Sequence, residues 1–519
     1  MTPSRLRRRR AQGDDGFILA TFGLFLVAMM IIAAFAIDVG GWYARAAQLQ
    51  RGADAAALAG VVWMPDYTTA SSVAQTAAAK NGFTNGSNNI TVTVSTVIGN
   101  SHELKVTITD GNAPRYFSQF VINNQTITKS ATAEYVLPLP LGSPKNTFGS
   151  GDIQSGSGAE NFWAAVNGYC AGRESGDKLL GGLDQSFINS AYTCSGVTPT
   201  PAYKPEGYYY TIDVLPGSSG NLNVWLFDPA FDGGRGDASL QTGATVTTTF
   251  TLFEPGPYTL QVPSGGTQMQ KVTYISGSTT YQNQWVNFWN GPAKVGQYFV
   301  QVQTTQNEAN SWGSNGFAIQ AMLGSASPGN GTTGSGSGVC TTISGQTGYS
   351  STCPQVHGVE DISIFANLGG GSGSTATFYL ADVDPVYAGK TMTVTLFDTG
   401  EGAQSIQVLD PNGNPYAFTW TTPCQPATPN IASPSTGCSG ASATSLSVAG
   451  TGTQPWPNLS STSLYNDRSM DLKIVLPSNY SAVYGTNSWW KIRYTVGSSA
   501  TDRTTWSAKI TGNPVHLVQ

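Results

Sequence analysis

From Phe17 to Ile37 the chain runs 21 residues without a charge, preceded by Arg5-Leu6-Arg7-Arg8-Arg9-Arg10 and followed at once by Asp38. At 1.5 Å per residue a helix of this length spans about 31 Å, the thickness of a hydrocarbon core. The arginine cluster predicts that residues 1–16 stay in the cytoplasm and that the chain after Ile37 lies on the far side of the inner membrane. Ala34-Phe35-Ala36 has the small-x-small form of a signal cleavage site, but the apolar run is longer than an ordinary signal core. Helix-forming residues also continue over 41–63, after Gly41 interrupted by Gly52 and Gly60 and stopped by Pro65. The spacing predicts one helix over 17–63, about 70 Å long. Its alanine-rich outer half suits close packing against a neighbouring helix.

Charge reinforces this division. The net charge is −5, yet five of the 25 basic residues fall in the first ten positions, and the chain after Ile37 carries −8. Neither the balance nor its distribution fits nucleic-acid binding. Charged residues make up only 11%, while 40% are hydrophobic, 11% aromatic and 61 are glycine, a mixture that excludes a disordered chain. It suits short strands joined by tight turns.

The run Ala36-Ile37-Asp38-Val39-Gly40, with Tyr43, Arg45, Gln48-Leu49-Gln50 and Ala53-Asp54-Ala55-Ala56-Ala57-Leu58-Ala59, resembles the N-terminal segment of Tad (Flp pilus-assembly) proteins of the TadE/TadG-like type. The resemblance covers about 50 residues, roughly a tenth of the chain. It implies a bitopic membrane protein of a tight-adherence pilus system, with Asp38, Gly40, Tyr43, Gln48, Gln50 and Asp54 as the motif of its helix. It also implies the lipid bilayer and other pilus-assembly membrane proteins or pilins as partners. Some relatives are cut like prepilins after a glycine, the place held here by Gly16-Phe17. Thr21-Phe22 stand where those relatives carry a glutamate-tyrosine pair.

Beyond the helix the chain reads as mainly β. Residues 65–137 predict a small α+β module: a helix over 71–82, strands at 89–97 and 103–110, a short helix at 114–121 and a closing strand at 126–137. Linkers rich in Gly, Pro and Ser at 138–158 and 324–338 delimit two modules, 159–323 and 339–519. Val224-Trp225-Leu226-Phe227-Asp228 answers Val394-Thr395-Leu396-Phe397-Asp398, and Ile212-Asp213-Val214 answers Ala381-Asp382-Val383. These echoes predict duplicated domains, namely two tandem antiparallel β-sandwiches of jelly-roll or immunoglobulin-like type.

Candidate chemistry is sparse. Cys170, Cys194, Cys340, Cys353, Cys424 and Cys438 fall on the outer side, where disulfides form, and chain proximity favours pairing them in that order. The histidines His102, His357 and His516 are far apart, and His357, near Glu360 and Asp361, reads as part of a loop. No catalytic, phosphate-binding or cofactor motif is present, nor the D-x-S-x-S cluster of some TadG-like adhesion domains. Asp228, Asp232 and Asp237 suit a Ca²⁺ site, though an acidic turn explains them as well. Asp410-Pro411-Asn412-Gly413-Asn414 reads as a hairpin turn. Tyr208, Tyr209, Tyr210, Trp285, Trp289, Trp489 and Trp490 offer surfaces for stacking sugars, and one of the adjacent pair Trp489 and Trp490 is expected to be exposed. The chain thus reads as a non-enzymatic envelope protein of a pilus system, the alternative being a membrane-anchored adhesin for a glycan or host protein.

Overall fold

The computed structural model describes residues 15–64, 67–97, 100–120, 122–135, 138–149, 162–171, 176–179, 202–231, 237, 246–255, 267–277, 279–304, 313–328, 338–367, 375–399, 403–422, 439–448, 469–496, 501–510 and 515–518. The chain divides into two compact units. One holds Met1–Val136 with Asn513–Gln519, and the other Leu137–Gly512.

In the first unit, helix α1 runs unbroken over Asp15–Val61, 47 residues. Its two halves differ in what they touch. From Phe17 to Ile37 large apolar side chains are exposed all round the helix, among them Phe17, Leu24, Met30 and Ile32. From Asp38 onward one stripe is buried: Asp38, Leu49, Ala53, Ala56, Ala57 and Val61, near the three-four spacing of a helix face. That face packs on helix α2 (Tyr67–Lys80) and on a sheet of β1 (Ile90–Val97), β2 (Asn100–Asp110), β3 (Ile127–Tyr135) and a C-terminal strand, Val515–Leu517. Alternation supplies the sheet's inner face: Val92 stands opposite Ile108 and Val94 opposite Val106, with Ile90 and Leu104 buried on either side.

The alanine-rich half of α1 therefore meets a helix of its own chain. Ala70, Ala74 and Ala78 of α2 are buried with it, four residues apart. The approach is so close that a Cβ on Gly60 would lie 2.6 Å from Leu104 Cδ2 and 2.8 Å from the Ala70 carbonyl oxygen. Two further differences from the expected layout appear. Among the described residues 114–120, Ser118–Phe120 alone is helical, as a 3-10 turn; residue 121 lies outside the described residues. The strand Val515–Leu517, placed by the linkers with the last module, instead pairs with Tyr135–Ala133 and completes the edge of this sheet.

The strands described in the second unit pair antiparallel. Its strands are β4 (Thr147–Phe148), β5 (Phe162–Asn167), β6 (Tyr208–Val214), β7 (Asn221–Phe227), β8 (Thr247–Phe253), β9 (Gln268–Ile275), β10 (Trp285–Pro292), β11 (Gly296–Thr304) and β12 (Ser314–Leu323). There follow β13 (Gln355–Val359), β14 (Asp361–Asn367), β15 (Thr375–Asp382), β16 (Thr391–Phe397), β17 (Ala403–Leu409), β18 (Phe418–Thr421), β19 (Ser439–Ala443), β20 (Leu446–Ser447), β21 (Ser469–Val475), β22 (Trp489–Val496) and β23 (Thr501–Ile510). A short helix α3 (Tyr480–Tyr484) precedes β22.

The echo between the two segments is a repeat of topology. In the first, β7 pairs with β10 and β12, β12 with β5, and β11 with β6 and β8. In the second, β16 pairs with β21 and β23, β23 with β14, and β22 with β15 and β17. The shared phrase falls on β7 and β16, and the aspartate ending each, Asp228 and Asp398, has a positive φ of 49° and 58°.

The linkers suggest separate sandwiches, whereas the strands of both segments run through one sheet of 11 strands, ordered β10-β7-β12-β5-β14-β23-β16-β21-β18-β19 with β4 on β12. The seam is β5 against β14, where Phe365 faces Trp163. Facing this layer are β13-β6-β11-β8-β9 and β15-β22-β17-β20. Leu141 lies between these two sheets, bridging to Gly358 of β13 and Ala381 of β15. A Cβ on Gly358 would fall 1.8 Å from Ile362 Cγ2, so only glycine admits this approach.

The layers interlock through edge-to-face aromatics, Tyr210 and Phe250 on Phe317, and Phe162 and Trp506 on Phe378. The opposite face of the large sheet carries a second apolar cluster of Trp163, Ala165, Phe227, Ala318 and Phe365, with Trp285 against it. Burial on both faces explains why these strands read as near-continuous apolar runs. The mainly β, sandwich-like class read from the sequence is the class observed.

Candidate functional site

The densest set of side-chain contacts carried by the helix motif lies where α1 leaves its apolar half. Asp38 is fully buried there and its carboxylate accepts three successive backbone N–H groups, from Tyr116 at 2.9 Å, Phe117 at 3.0 Å and Ser118 at 2.5 Å. A helical aspartate thus caps the N-terminus of the turn at Ser118–Phe120, as an N-cap residue does for its own helix. One turn on, Trp42 Nε1 donates to the Pro114 carbonyl at 3.0 Å. Arg45 Nε pairs with Asp110 Oδ2 at 2.8 Å, and its guanidinium lies 5.1 Å from the centre of the Phe83 ring. Further out, Gln50 Nε2 donates to Asp54 Oδ1 at 2.8 Å and to the Ser130 carbonyl at 3.1 Å.

The motif residues therefore separate by face. Asp38, Gln50 and Asp54 look toward the chain's own module. Tyr43 is exposed, Gln48 is exposed and accepts from Arg45, and nothing lies within 4 Å of a Cβ built on Gly40. Trp42 and Asp110 belong to the junction although the motif does not include them. Trp42 carried a sequence signal, since it sits four residues from Asp38 on the same helical face.

A second polar centre lies in the two smaller sheets of the β unit, on β13, β6 and β15. His357 belongs to β13 rather than to a loop and is buried, its Nε2 3.6 Å from Asp213 Oδ2. Burial holds the imidazole below its ordinary value of 6.5, while the Asp213 carboxylate pulls the other way. Asp382 lies nearby at the end of β15, and burial lifts its carboxyl to about 6, against a hydrogen bond from Ser488. Glu360 and Asp361 turn away to Lys204 Nζ, at 3.4 and 3.2 Å. None of these groups forms a metal site: among the described residues no three His, Cys, Asp or Glu side chains come together as one.

The remaining candidates resolve as follows. Cys340 and Cys353 form a disulfide, Cα–Cα 5.9 Å. Cys170 is buried and disulfide-bonded. Cys194, Cys424, Cys438 and Asp232 lie outside the described residues. Asp228 is buried behind β7, and Asp237 Oδ1 accepts from the Gly316 N–H. Asp410 closes a hairpin turn, accepting from the Asn414 N–H at 2.8 Å.

The aromatics belong mostly to the core. Tyr208, Tyr209 and Tyr210 are buried, while Trp285 and Trp289 are half-buried. Trp489 and Trp490 are both buried, contrary to the exposure expected of one. Trp490 donates to Tyr480 Oη at 2.9 Å beneath α3, and Trp489 stands edge-on to Tyr379, 5.7 Å between ring centres. A polar cleft of about 540 Å³ beside them is lined by Gln346, Gln355, Tyr379, Asp382, Trp489 and Lys491 among others. The Lys491 ammonium lies over the Tyr379 ring at 5.6 Å, so that ring is already engaged.

Comparison with solved structures returns the tandem CBM22-1–CBM22-2 domain of Paenibacillus barcinonensis Xyn10C, at 9% identity and a TM-score of 0.15, covering 83% of this chain and 92% of that one. It also returns tripeptidyl peptidase 2, at 7% identity and a TM-score of 0.18, covering 83% of this chain and 37% of that one. At such scores neither likeness carries an argument. No curated protein matches the chain. Residues 16–78, which hold the apolar half of α1, its docked half and most of α2, match the Tad family model, described as "Putative Flp pilus-assembly TadE/G-like". The Asp38 junction thus lies inside the segment that is similar to TadE/G-like Flp pilus-assembly proteins.

Proposed function

We propose that the chain is a non-enzymatic, single-pass envelope component of a Tad/Flp-type pilus-assembly system. It is held in the cytoplasmic membrane by residues 17–37, with its N-terminus in the cytoplasm and its β unit presented outside for contacts with pilus components. The observation that carries this reading is the coincidence, within residues 16–78, of the family match with a helix whose first half is apolar and uncovered and whose second half is locked to a folded module. An apolar helix uncovered on every side is stable in a bilayer and costly in water. The arginine cluster supports the orientation.

The mechanism is mechanical and positional. The docked half of α1 makes the small module a rigid extension of the membrane helix, so lateral contacts made in the bilayer are transmitted to the module without a flexible joint. The test is to delete the coding sequence and count surface pili by electron microscopy. The reading expects their loss and recovery on complementation, and undiminished pili would contradict it.

A further inference from the structure

Three aromatic side chains stand in solvent beside the junction: Tyr116, Phe117 and Phe120, exposed by 62%, 49% and 85%. Their backbone is held at both ends. Asp38 takes the N–H groups of 116–118, and Trp42 binds the Pro114 carbonyl. Arg115 donates to the carbonyls of Ile122 and Asn123 and to Asn112 Oδ1, and the Ala113 N–H bonds the Gln125 carbonyl at 2.9 Å. A fixed loop presenting three large apolar rings to water bears a cost that a surface partner removes.

The helix sets where the loop lies. Asp38 directly follows an apolar run of about 31 Å, so groups bonded to its carboxylate sit at the level where hydrocarbon gives way to headgroups. Trp42 and the exposed Tyr43 lie within the next two turns. Aromatic residues concentrate at this depth because their rings favour the boundary between acyl chains and water. We infer that residues 114–120 form an interfacial foot, with Tyr116, Phe117 and Phe120 seated in the headgroup region of the same leaflet from which α1 emerges. The occupant of this surface is phospholipid.

The foot gives the module a second, off-axis point of attachment to the bilayer. A single helix leaves tilt and rotation open, whereas interfacial anchors beside it restrict both. Asp38 then acts as a positioning residue, setting the height of the foot relative to the apolar run. This inference rests on the reading of 17–37 as a membrane span.

The experiment uses the full chain in vesicles of phosphatidylcholine and phosphatidylglycerol. A nitroxide is placed on a single introduced cysteine by Phe120→Cys, Met30→Cys or Gln75→Cys, the last being an exposed position of α2. Collision with lipid-soluble oxygen is compared with collision with a water-soluble nickel chelate. The inference expects the labels at 120 and 30 to favour oxygen and the label at 75 to favour nickel. A label at 120 that favours nickel, while the one at 30 favours oxygen, overturns the foot and leaves the span intact. A label at 30 that favours nickel removes the span and the foot with it. Phe120 is 85% exposed, so its replacement leaves the fold in place.

Discussion

At single positions, the junction makes predictions that a plain membrane anchor would not. Asp38→Ala removes the acceptor of three backbone N–H groups, so the amides of 116–118 are expected to exchange markedly faster in hydrogen–deuterium exchange while those of β2 stay protected. Equal protection in the variant would place the order of that turn elsewhere. The glycines of α1 provide a contrast in sign. Gly60→Ala improves helix propensity, yet its Cβ meets Leu104 and the Ala70 backbone at 2.6 and 2.8 Å, so a loss of about 1–3 kcal/mol is expected in a thermal melt. Gly40→Ala meets nothing within 4 Å and is expected to be neutral or to stabilise by about 0.5–1 kcal/mol. The importance of Asp38 was legible as a motif, because an aspartate at the end of an apolar run is unusual. Its partners were not, since Tyr116 to Ser118 lie nearly eighty residues away and no local pattern joins them.

Among the elements, the repeat and the seam decide the behaviour of the β unit. Trp163 lies at the β5·β14 pairing, within the cluster that includes Phe227 and Phe365. Trp163→Ala is therefore expected to cost about 3–5 kcal/mol and to lower the melting of both segments together, as calorimetry would record. Two separate transitions, only one of them shifted, would mean that the segments fold independently. A pH effect belongs here too. The folded carboxyl of Asp382 binds its proton near 6 and the unfolded one near 3.8, so its stabilising share is complete below 3.8 and is lost as pH rises through 6. Asp382→Asn is thus expected to raise stability at pH 7.5 relative to pH 5, when each is measured against the parent. An unchanged difference between the two pH values would contradict the buried, elevated carboxyl. The strands of both segments and their shared phrase could be read from alternation and turn residues. The common sheet could not, because β5 meets β14 across about 200 residues and either edge strand satisfies the same pattern. Likewise Trp489 and Trp490 alternate as a half-exposed strand would, and only α3 and the neighbouring strands bury both.

For the whole molecule, the chain joins an uncovered apolar helix to a folded module through a helix that never breaks, and carries a large β unit beyond it. The long apolar helix, the small α+β module and the β class followed from periodicity and charge. The return of Val515–Leu517 to the first sheet did not, because three residues hold too little pattern to name a partner strand. The TadE/G-like match covers the helix and α2 alone, so the role of the β unit rests on its attachment. Attachment is accordingly the property to test. In cells lacking the protein, a version with residues 1–37 replaced by a cleavable export sequence would deliver the same folded units without the span. The account predicts that the full chain restores surface pili, counted by electron microscopy, and that the released version does not. Full piliation with the released version would contradict it.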